Sequence, residues 1–424
     1  MKNSLAILAL CAVLGGCAPP RPAAPTIPAP AAEKCVGTQG YSESFGGRRT
    51  FLWRPAWLNL IKTDDSAREL RDRIIARAEQ SLAGAAPNVM TKSEVPPSGD
   101  KHDFLTWPTY WWRTGPNAVE ARDGVANPEA KSDKFDESAL QEMQARVVML
   151  SLGAFLTGDR RYSQKATELL AVWFVDPATA MNPNMNFAQI VPGTQKPPTA
   201  VQAIQLVQIV EAIGLLESSD DLSPDAKLAL QGWFSRYVDW MRGPRGQQDR
   251  WAPNNRSLGY DLQLIEFALF AGRDDVARAV IQKLPRERLW RQISADGRLL
   301  QEVQRTNGLS YSLFALQMMF QLADLGDCLG VDLWSYRENG AGIRPVLDYL
   351  VPFIGHEERW PFAQHSKRPE DIQNMRRRFR ALLSEAAWIY REERYLADVA
   401  ALDAGDAEEK DGVWWTGPMA WPDP

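Results

Sequence analysis

The sequence predicts an all-α protein, more specifically an α/α toroid, in which helical hairpins form an incomplete barrel. Apolar residues recur at the spacing of a helix face through most of the chain after residue 50. Strand-like alternation is scarce and short. Polar breaks also join successive helices into hairpins, and a chain with many hairpins buries all its apolar faces when the hairpins pack side by side in a ring.

The individual helices follow from this spacing. One helix face is formed at alternating spacings of three and four by Leu140, Met143, Val147, Leu150 and Ala154. The same spacing resumes after a break at Tyr162, Ala166, Leu169 and Trp173. Ser223 and Pro224 are typical of a helix start, with a side-chain oxygen as the cap and proline in the first turn. Further helices are predicted at about 66–82, 201–217, 224–241, 258–271, 275–283, 309–326, 343–352 and 372–391.

Three similar polar breaks, at 157–162, 271–276 and 391–395, each end one helix and open the next. Their spacing is irregular, so they do not form a strict repeat. No clear linker follows residue 50, and we therefore expect one domain over residues 50–424. A boundary near 340–350 is the alternative.

Composition limits the classes of ligand. The 424 residues are 45% hydrophobic and 24% charged, with 48 basic and 53 acidic residues and a net charge of −5. Such a chain has no general attraction for nucleic acid, so an anionic ligand must be held by a local cluster of Arg and Lys. The 16 Trp are many for this length. Most are expected in the core, but Trp rings also stack on sugars.

The N-terminus has the pattern of a targeting signal. Lys2 precedes an apolar stretch at 5–14 that is too short to span a bilayer, and Cys17 follows two glycines. This pattern resembles a bacterial lipoprotein signal over residues 1–17, with Cys17 lipidated and the outer membrane as the destination. An ordinary secretory signal is the alternative. Residues 18–49 are predicted to be a tether rich in Pro and Ala. A lipid anchor would be the only membrane attachment.

The cysteines indicate little more. With Cys11 in the signal and Cys17 lipidated, Cys35 and Cys328 remain. They can pair in an oxidising periplasm, or they can be unrelated thiols.

Two segments about fifty residues apart, 254–263 and 305–312, place amide, guanidinium and phenol groups at the edge of apolar helical runs. Asn255 is a neutral donor, and Arg305 has a planar fork that suits a carboxylate. Tyr311 lies six residues after Arg305. A nearby guanidinium would lower the pKa of its phenol and let it act as base, acid or both. Taken singly, these residues also suit a helix cap, a surface ion pair and a core tyrosine.

Together these groups suit the β-elimination of a uronic acid polymer. Removing the proton next to the sugar carboxylate adds negative charge to a group that is already anionic. Donors must therefore neutralise the carboxylate, while a base takes the proton and an acid protonates the departing glycosidic oxygen. No water is added, and the product is an unsaturated sugar.

Both segments resemble the two catalytic segments of the bacterial alginate lyase family, and the resemblance extends in order over roughly residues 100–365. It includes the runs at 101–104, 110–112, 122–129, 173–189, 330–334 and 349–353. The resemblance implies an α/α-toroid lyase acting on alginate or a related uronate polymer. It implies that Asn255 and Arg305 engage the carboxylate and that Tyr311 is the catalytic phenol. It also implies a sugar groove lined by Asn186, Gln189, His102, Tyr110, Trp111, Trp112 and Tyr260.

The sequence departs from this family at Arg256, where the family usually has His. Arg stays protonated at any relevant pH and cannot be a base. Three outcomes are open: Tyr311 performs both proton transfers with Arg256 as an extra clamp on the carboxylate, the substrate is a different uronate polymer, or catalysis is lost.

The last outcome is a second hypothesis of another class, a catalytically inactive protein that binds an acidic polysaccharide. A hydrolase would need a pair of carboxylic acids across the bond, and the sequence nominates none. Glu302 and Asp261 both have ready structural uses. No His or Cys pair has metal-ligand spacing and no glycine pattern cradles phosphate, so we expect no metal and no nucleotide cofactor.

Overall fold

The structure of the chain is a computed structural model that describes residues 50–405 apart from 116–117, 192–197 and 218. The predicted signal, the tether and Cys35 lie outside the described residues. Thirteen α-helices and one β-hairpin make up the regular structure of the described part. The helices are α1 (Pro55–Thr63), α2 (Arg68–Ser81), α3 (Glu137–Thr157), α4 (Arg160–Phe174), α5 (Leu206–Leu216), α6 (Pro224–Arg242), α7 (Asn255–Phe270), α8 (Asp274–Ile281), α9 (Trp290–Gln292), α10 (Gly308–Leu329), α11 (Ile343–Leu350), α12 (Pro369–Tyr390) and α13 (Glu393–Gly405).

The helices form two layers, which confirms the predicted all-α toroid. An inner row runs α3, α5, α7, α10 and α12, each packed against the next. Most of the remaining helices pack outside this row: α2 and α4 on α3, α6 and α8 on α7, α11 on α10, and α13 on α12. Every residue of α5 is buried, and so is every residue of α7 except Arg256. These two inner helices are therefore buried on nearly all sides, as expected for helices enclosed by a second layer.

The predicted hairpin turns are confirmed. Gly158 ends α3 in the left-handed conformation at φ 74°, and the side chain of Asp159 accepts from the backbone N–H of Arg161 to start α4. Ser223 caps α6 by accepting from the N–H of Ala226, as its sequence predicted. Arg391 ends α12 with φ 54°. Such caps satisfy the backbone groups that a helix end leaves unpaired, so each hairpin can turn within a few residues.

The β-hairpin was not predicted. It consists of β1 (Trp111–Gly115) and β2 (Ala118–Ala121), which pair antiparallel. A small separate cluster of buried residues lies next to it: Leu105, Trp107, Ala130 and Phe135. The hairpin is followed by a turn that reaches the start of α10, so it belongs to the candidate site described below.

The first described residues are held against the inner helices by hydrogen bonds and ion pairs. The buried carboxylate of Glu211 on α5 accepts from the backbone N–H groups of Phe51, Leu52 and Trp53 at 2.6–2.9 Å. Next to them, Arg54 pairs with Asp324 and Asp327 near the C-terminal end of α10.

The guanidinium of Arg54 also contacts two tryptophan rings, 5.5 Å from the centroid of Trp57 and 4.8 Å from that of Trp388 on α12. These contacts tie the start of the described chain to three inner helices. No helix in the described part is both long enough and apolar enough to cross a membrane.

Candidate active site

Arg305 and Tyr311 meet at the start of α10. Arg305 precedes the helix, and Tyr311 lies in its first turn. The guanidinium carbon of Arg305 is 3.9 Å from the centroid of the Tyr311 ring. This stacking is a close cation–π contact, and it holds a planar cationic fork directly beside a phenol. Arg305 and Tyr311 thus lie on one stretch that runs from a loop into a helix, as the sequence predicted.

The hydroxyl of Tyr311 faces a second phenol. The Tyr311 O–H donates to the hydroxyl oxygen of Tyr110, with 2.9 Å between the two oxygens. Tyr110 directly precedes β1, and its carbonyl oxygen accepts from the N–H of Arg122 at 2.8 Å. Two residues that are 201 positions apart in sequence thus form one phenol pair.

The pKa of Tyr311 is raised above its ordinary value, mainly by burial and then by Tyr110. The Arg305 guanidinium lowers this pKa, but its effect is smaller. The expectation that Arg305 would bring the pKa of Tyr311 below the usual range was therefore wrong, because removing the phenolate from water costs more than the cation returns. In the free protein the phenol is a proton donor at neutral pH.

Asp123 fixes the position of Arg305. The Nη2 atom of Arg305 donates to Oδ1 of Asp123 at 2.8 Å, and the hydroxyl of Thr306 donates to Oδ2 at 2.7 Å. Burial raises the pKa of Asp123, but these hydrogen bonds outweigh it and keep the pKa below its usual value. The Asp123 carboxylate is therefore ionised at neutral pH and can orient the guanidinium.

Gly124 allows this close approach. Its φ is +79°, and a Cβ atom there would lie 2.6 Å from Oγ1 of Thr306. Both the backbone conformation and the lack of space require glycine at this position. The turn after β2 can thus press its carboxylate against the segment that precedes α10.

Asn255 lies at the N-terminus of α7, where the side chain of Asn254 caps the helix by accepting from the N–H of Arg256. The backbone N–H of Asn255 donates to Oε1 of Glu302 at 2.6 Å, and its side-chain amide donates to both carboxylate oxygens at 3.0 and 2.9 Å. Burial raises the pKa of Glu302. The hydrogen bonds from Asn255 lower this pKa, but their effect is smaller than that of burial. Asn255 therefore connects α7 to the segment that carries Arg305, with its amide nitrogen already engaged.

Arg256 pairs with a buried carboxylate. Its Nη2 atom bonds Oδ1 of Asp249, whose side chain is fully buried, while the Arg256 side chain is 38% exposed. The other carboxylate oxygen of Asp249 accepts from the hydroxyl of Thr199 and the N–H of Ala200, both at 2.7 Å. Asp249 thus compensates much of the charge that Arg256 brings to this end of α7.

Three of the predicted groove residues have partners away from the phenol pair. Nδ1 of His102 is 2.6 Å from the carbonyl oxygen of Ala180. Oδ1 of Asn186 accepts from the indole N–H of Trp240 at 2.9 Å. Gln189, in the left-handed conformation at φ 54°, donates from its side chain to Gln202 at 2.7 Å. All three side chains are partly exposed, so they remain accessible to a ligand.

The predicted aromatic residues fall into two groups. Trp111 and Trp112 are partly exposed on β1, next to Tyr110, and Nε1 of Trp112 donates to the carbonyl oxygen of Val125 at 3.2 Å. Tyr260 is only 2% exposed, and its hydroxyl donates to the carbonyl oxygen of Met241 at 2.9 Å. The first group thus adjoins the phenol pair, whereas Tyr260 is a core residue one helical turn below Arg256.

The sequence did not single out Asp123, Asp249 or the neighbourhood of His365. The N–H of His365 donates to the carbonyl oxygen of Thr306 at 2.9 Å and to Oδ1 of Asn307 at 3.1 Å. This places an exposed histidine beside the segment that carries Arg305. The only available signal for Asp123 was the motif of Asp followed by Gly. Over the described residues, no cluster of His, Cys, Asp and Glu could hold a metal ion.

Comparison with known proteins gives consistent matches. A family model described as alginate lyase matches residues 88–360. The crystal structure of an alginate lyase from Bacteroides ovatus is similar to this chain at 29% identity and a TM-score of 0.80, covering 87% of this chain and 99% of that one.

Two more distant structures share the fold. Alginate lyase A1-III from Sphingomonas species A1 has 14% identity and a TM-score of 0.52, over 81% of this chain and 92% of that one. A Tyr-to-Phe variant of alginate lyase A1-III complexed with tetrasaccharide has 14% identity and a TM-score of 0.54, over 81% and 91% of the two chains. No curated protein matches the chain.

Proposed function

The chain belongs to the alginate lyase family, and from this membership we propose that it is a polysaccharide lyase that cleaves alginate or a related uronate polymer by β-elimination. The observation that carries the proposal is the stacking of the Arg305 guanidinium on Tyr311, 3.9 Å from the ring centroid. It combines a carboxylate-binding fork and a proton-transferring phenol within one sugar unit of each other. The tetrasaccharide complex of alginate lyase A1-III supports a polysaccharide as the ligand class.

Arg305 is the principal group that neutralises the substrate carboxylate. One of its nitrogens is used by Asp123, and the guanidinium retains further N–H donors for a second carboxylate. Asn255 takes part by giving up one of its two side-chain hydrogen bonds to Glu302. With the carboxylate neutralised, the charge that develops when the adjacent proton leaves is stabilised where it forms.

Tyr311 performs both proton transfers. As the phenolate it takes the proton next to the carboxylate, and as the phenol it returns a proton to the departing glycosidic oxygen. This assignment suits a syn elimination, in which base and acid act from one face of the sugar. Tyr110 accepts the Tyr311 hydrogen bond at 2.9 Å, so it can relay the Tyr311 proton only by releasing its own hydroxyl proton to water at the same time. Arg256 cannot replace a basic histidine, so it contributes positive charge and its link to Asp249.

The test is cleavage of a panel of uronate polymers, followed by the ultraviolet absorbance of the unsaturated product. Tyr311→Phe removes the proton-transferring oxygen and should abolish the absorbance rise. Tyr162→Phe is the matched control, since its hydroxyl bonds Glu79 on the outer helices. A folded wild-type protein that cleaves no polymer, or a Tyr311→Phe variant that keeps full activity, would contradict the proposal.

One observation favours a second candidate, a lyase-like protein that only binds an acidic polysaccharide. The side-chain amide nitrogen of Asn255 is engaged by both oxygens of Glu302, and Arg256 is engaged by Asp249. This candidate predicts polymer binding that weakens with salt and with Arg256→Ala, without any unsaturated product. Cleavage restored by Arg256→His would instead show that only the base had been lost.

For the location, we propose an outer-membrane lipoprotein lipidated at Cys17. The support is the sequence of residues 1–17 with the Pro/Ala-rich residues 18–49 after it. Metabolic labelling with a fatty acid should label the wild-type chain and not the Cys17→Ser variant. Labelling of both, or release of the wild-type chain into the soluble fraction, would contradict it.

A further inference from the structure

A cavity of about 290 Å³ lies one helical turn below Arg256, outside the candidate active site. Its walls come from the end of α6, from α7, from α8 and the residues that follow it, and from the short helix Gly246–Trp251. Two consecutive residues of that short helix face different sites: Asp249 bonds Arg256, and Arg250 lines the cavity. Adjacent residues of one short helix thus contact Arg256 and line the cavity.

The cavity lining carries an excess of positive charge. Arg242, Arg250 and Lys283 line it, and none of them forms an ion pair with a carboxylate in the described part of the chain. Of the two lining carboxylates, Asp261 is bonded by Arg288 at 2.7 Å and also interacts with Arg250, so the three lining cations face Glu287 and a carboxylate that Arg288 already compensates. A chain with net charge −5 thus concentrates unpaired cations in one concave place. Concave cationic surfaces raise the local concentration of anions.

Other parts of the cavity suit a sugar rather than a simple ion. Its inner wall includes Leu264, Val276 and Val280, which offer an apolar surface. Trp251 does not line the cavity itself but directly follows Arg250, and it is 69% exposed, with the Arg250 guanidinium 4.7 Å from its ring centroid. An exposed indole beside cationic donors is a stacking surface for a saccharide ring that carries a carboxylate.

We infer that this cavity is a second binding site for a uronate unit of an acidic polysaccharide, separate from the residues around Tyr311. The ligand class rests on the proposed function. In this arrangement Trp251 stacks on a sugar ring, and Arg250 and Lys283 bind its carboxylate. A site there would hold a long polymer at a point away from the bond that is cleaved, so it acts on affinity and not on proton transfer.

The experiment measures binding without cleavage. In the Tyr311→Phe background, calorimetry with a uronate hexasaccharide and with the polymer is compared for the parent, for Arg250→Ala/Lys283→Ala and for Trp251→Ala. Loss of hydrogen bonds to a charged group should weaken the cavity site by roughly tenfold or more. The parent should bind two hexasaccharide molecules per chain, and the cavity variants should bind one. Arg236→Ala/Lys165→Ala removes the same charge from the outer helices α4 and α6 and should leave binding unchanged.

The outcomes separate this inference from the proposed function. Equal binding by the cavity variants and the parent overturns the inference, even if the wild-type protein cleaves polymer. Reduced binding by the cavity variants supports it, even if no polymer is cleaved. Inorganic phosphate serves as the competing probe: if phosphate occupies the cavity and the hexasaccharide does not displace it, the cavity is a site for small anions only and the saccharide assignment fails.

Discussion

At the scale of single residues, the reactivity of Tyr311 is set by two neighbours that act in opposite directions. Tyr110 raises its pKa and Arg305 lowers it, while burial outweighs both. A substrate carboxylate that binds Arg305 changes the charge beside the Tyr311 ring. Substrate binding therefore shifts the pKa of the catalytic phenol.

This balance predicts the pH dependence of cleavage. The phenolate of Tyr311 is scarce at neutral pH because its pKa is raised, so kcat/KM should increase with pH between about pH 7 and 10, where tyrosines begin to ionise. Tyr110→Phe removes an influence that raises the pKa, so its rising limb should move to lower pH. Profiles of kcat/KM against pH for both proteins check this. A flat profile would show that the Tyr311 phenolate is not the base.

Asp123 provides a second prediction. Asp123→Asn keeps the shape of the side chain but removes the charge that orients Arg305, so we expect kcat to fall by about 10²-fold, as misplaced catalytic groups do. The Asp123 side chain is 43% exposed, so the melting temperature should change little.

Glu120→Gln on the same hairpin removes a carboxylate that pairs with Arg122 and serves as the control. Equal losses in the two variants would indicate damage to the hairpin, and not loss of the Arg305 contact.

At the scale of elements, the site depends on how close the turn after β2 comes to the start of α10. Gly124→Ala introduces a Cβ at 2.6 Å from Thr306 into a backbone with φ +79°. We expect a stability loss of about 1–3 kcal/mol, together with a large loss of activity because Asp123 moves away from Arg305. Thermal melting and initial rates measure the two effects. Gly99→Ala, also at positive φ but with nothing within 4 Å of its Cβ, is the control for backbone strain alone.

Sequence reasoning located the main helices because their apolar faces repeat at helical spacing. The predicted 224–241 became α6 (Pro224–Arg242), and 309–326 became α10 (Gly308–Leu329). α1 and the three-residue α9 were missed, as was the β-hairpin, whose strands are only five and four residues long. The start of α13 was indicated only by the break at 391–395. Short elements are held by contacts with distant parts of the chain, and these leave little periodic signal.

The site was predictable only in part, for the same reason. Arg305 and Tyr311 lie six residues apart, so their meeting follows from local structure. Asp123 is 182 residues from Arg305, and Glu302 is 47 residues from Asn255. Nothing in either local sequence indicates these partners. The direction of the Tyr311 pKa shift was wrong because it depends on burial and on Tyr110, which only the folded chain brings together.

At the scale of the whole molecule, the inner helices contain a buried carboxyl group that is not hydrogen-bonded within the described part of the chain. Glu266 on α7 is fully buried, and neither of its oxygens has a hydrogen-bond partner among the described residues. Burial, and then the nearby Glu211, raises its pKa well above the ordinary value. The folded chain therefore keeps Glu266 protonated.

The consequence for stability has a definite sign. Below the unfolded pKa of Glu266, about 4.3, both states hold the proton. Above it the unfolded chain releases a proton that the folded chain keeps, so the free energy of unfolding falls as pH rises towards the folded pKa. Glu266→Gln should flatten this dependence and melt at a higher temperature than the wild type at pH 8. Parallel slopes for the two proteins between about pH 5 and 8 would contradict this.

The place where residues 51–54 contact the inner helices has a consequence for how an anchored protein would be oriented on a membrane. The Sγ atom of Cys328 lies 3.7 Å from the carbonyl oxygen of Phe51, and Cys328 is 17 residues after Tyr311 on the same helix. At a rise of 1.5 Å per residue, Phe51 therefore lies about 25 Å along α10 from Tyr311, near the other end of this helix. A lipid anchor upstream of residue 50 would therefore attach the protein to the membrane at the end of α10 far from Tyr311. The Tyr311 end of α10 would then face away from the membrane, towards a long polymer.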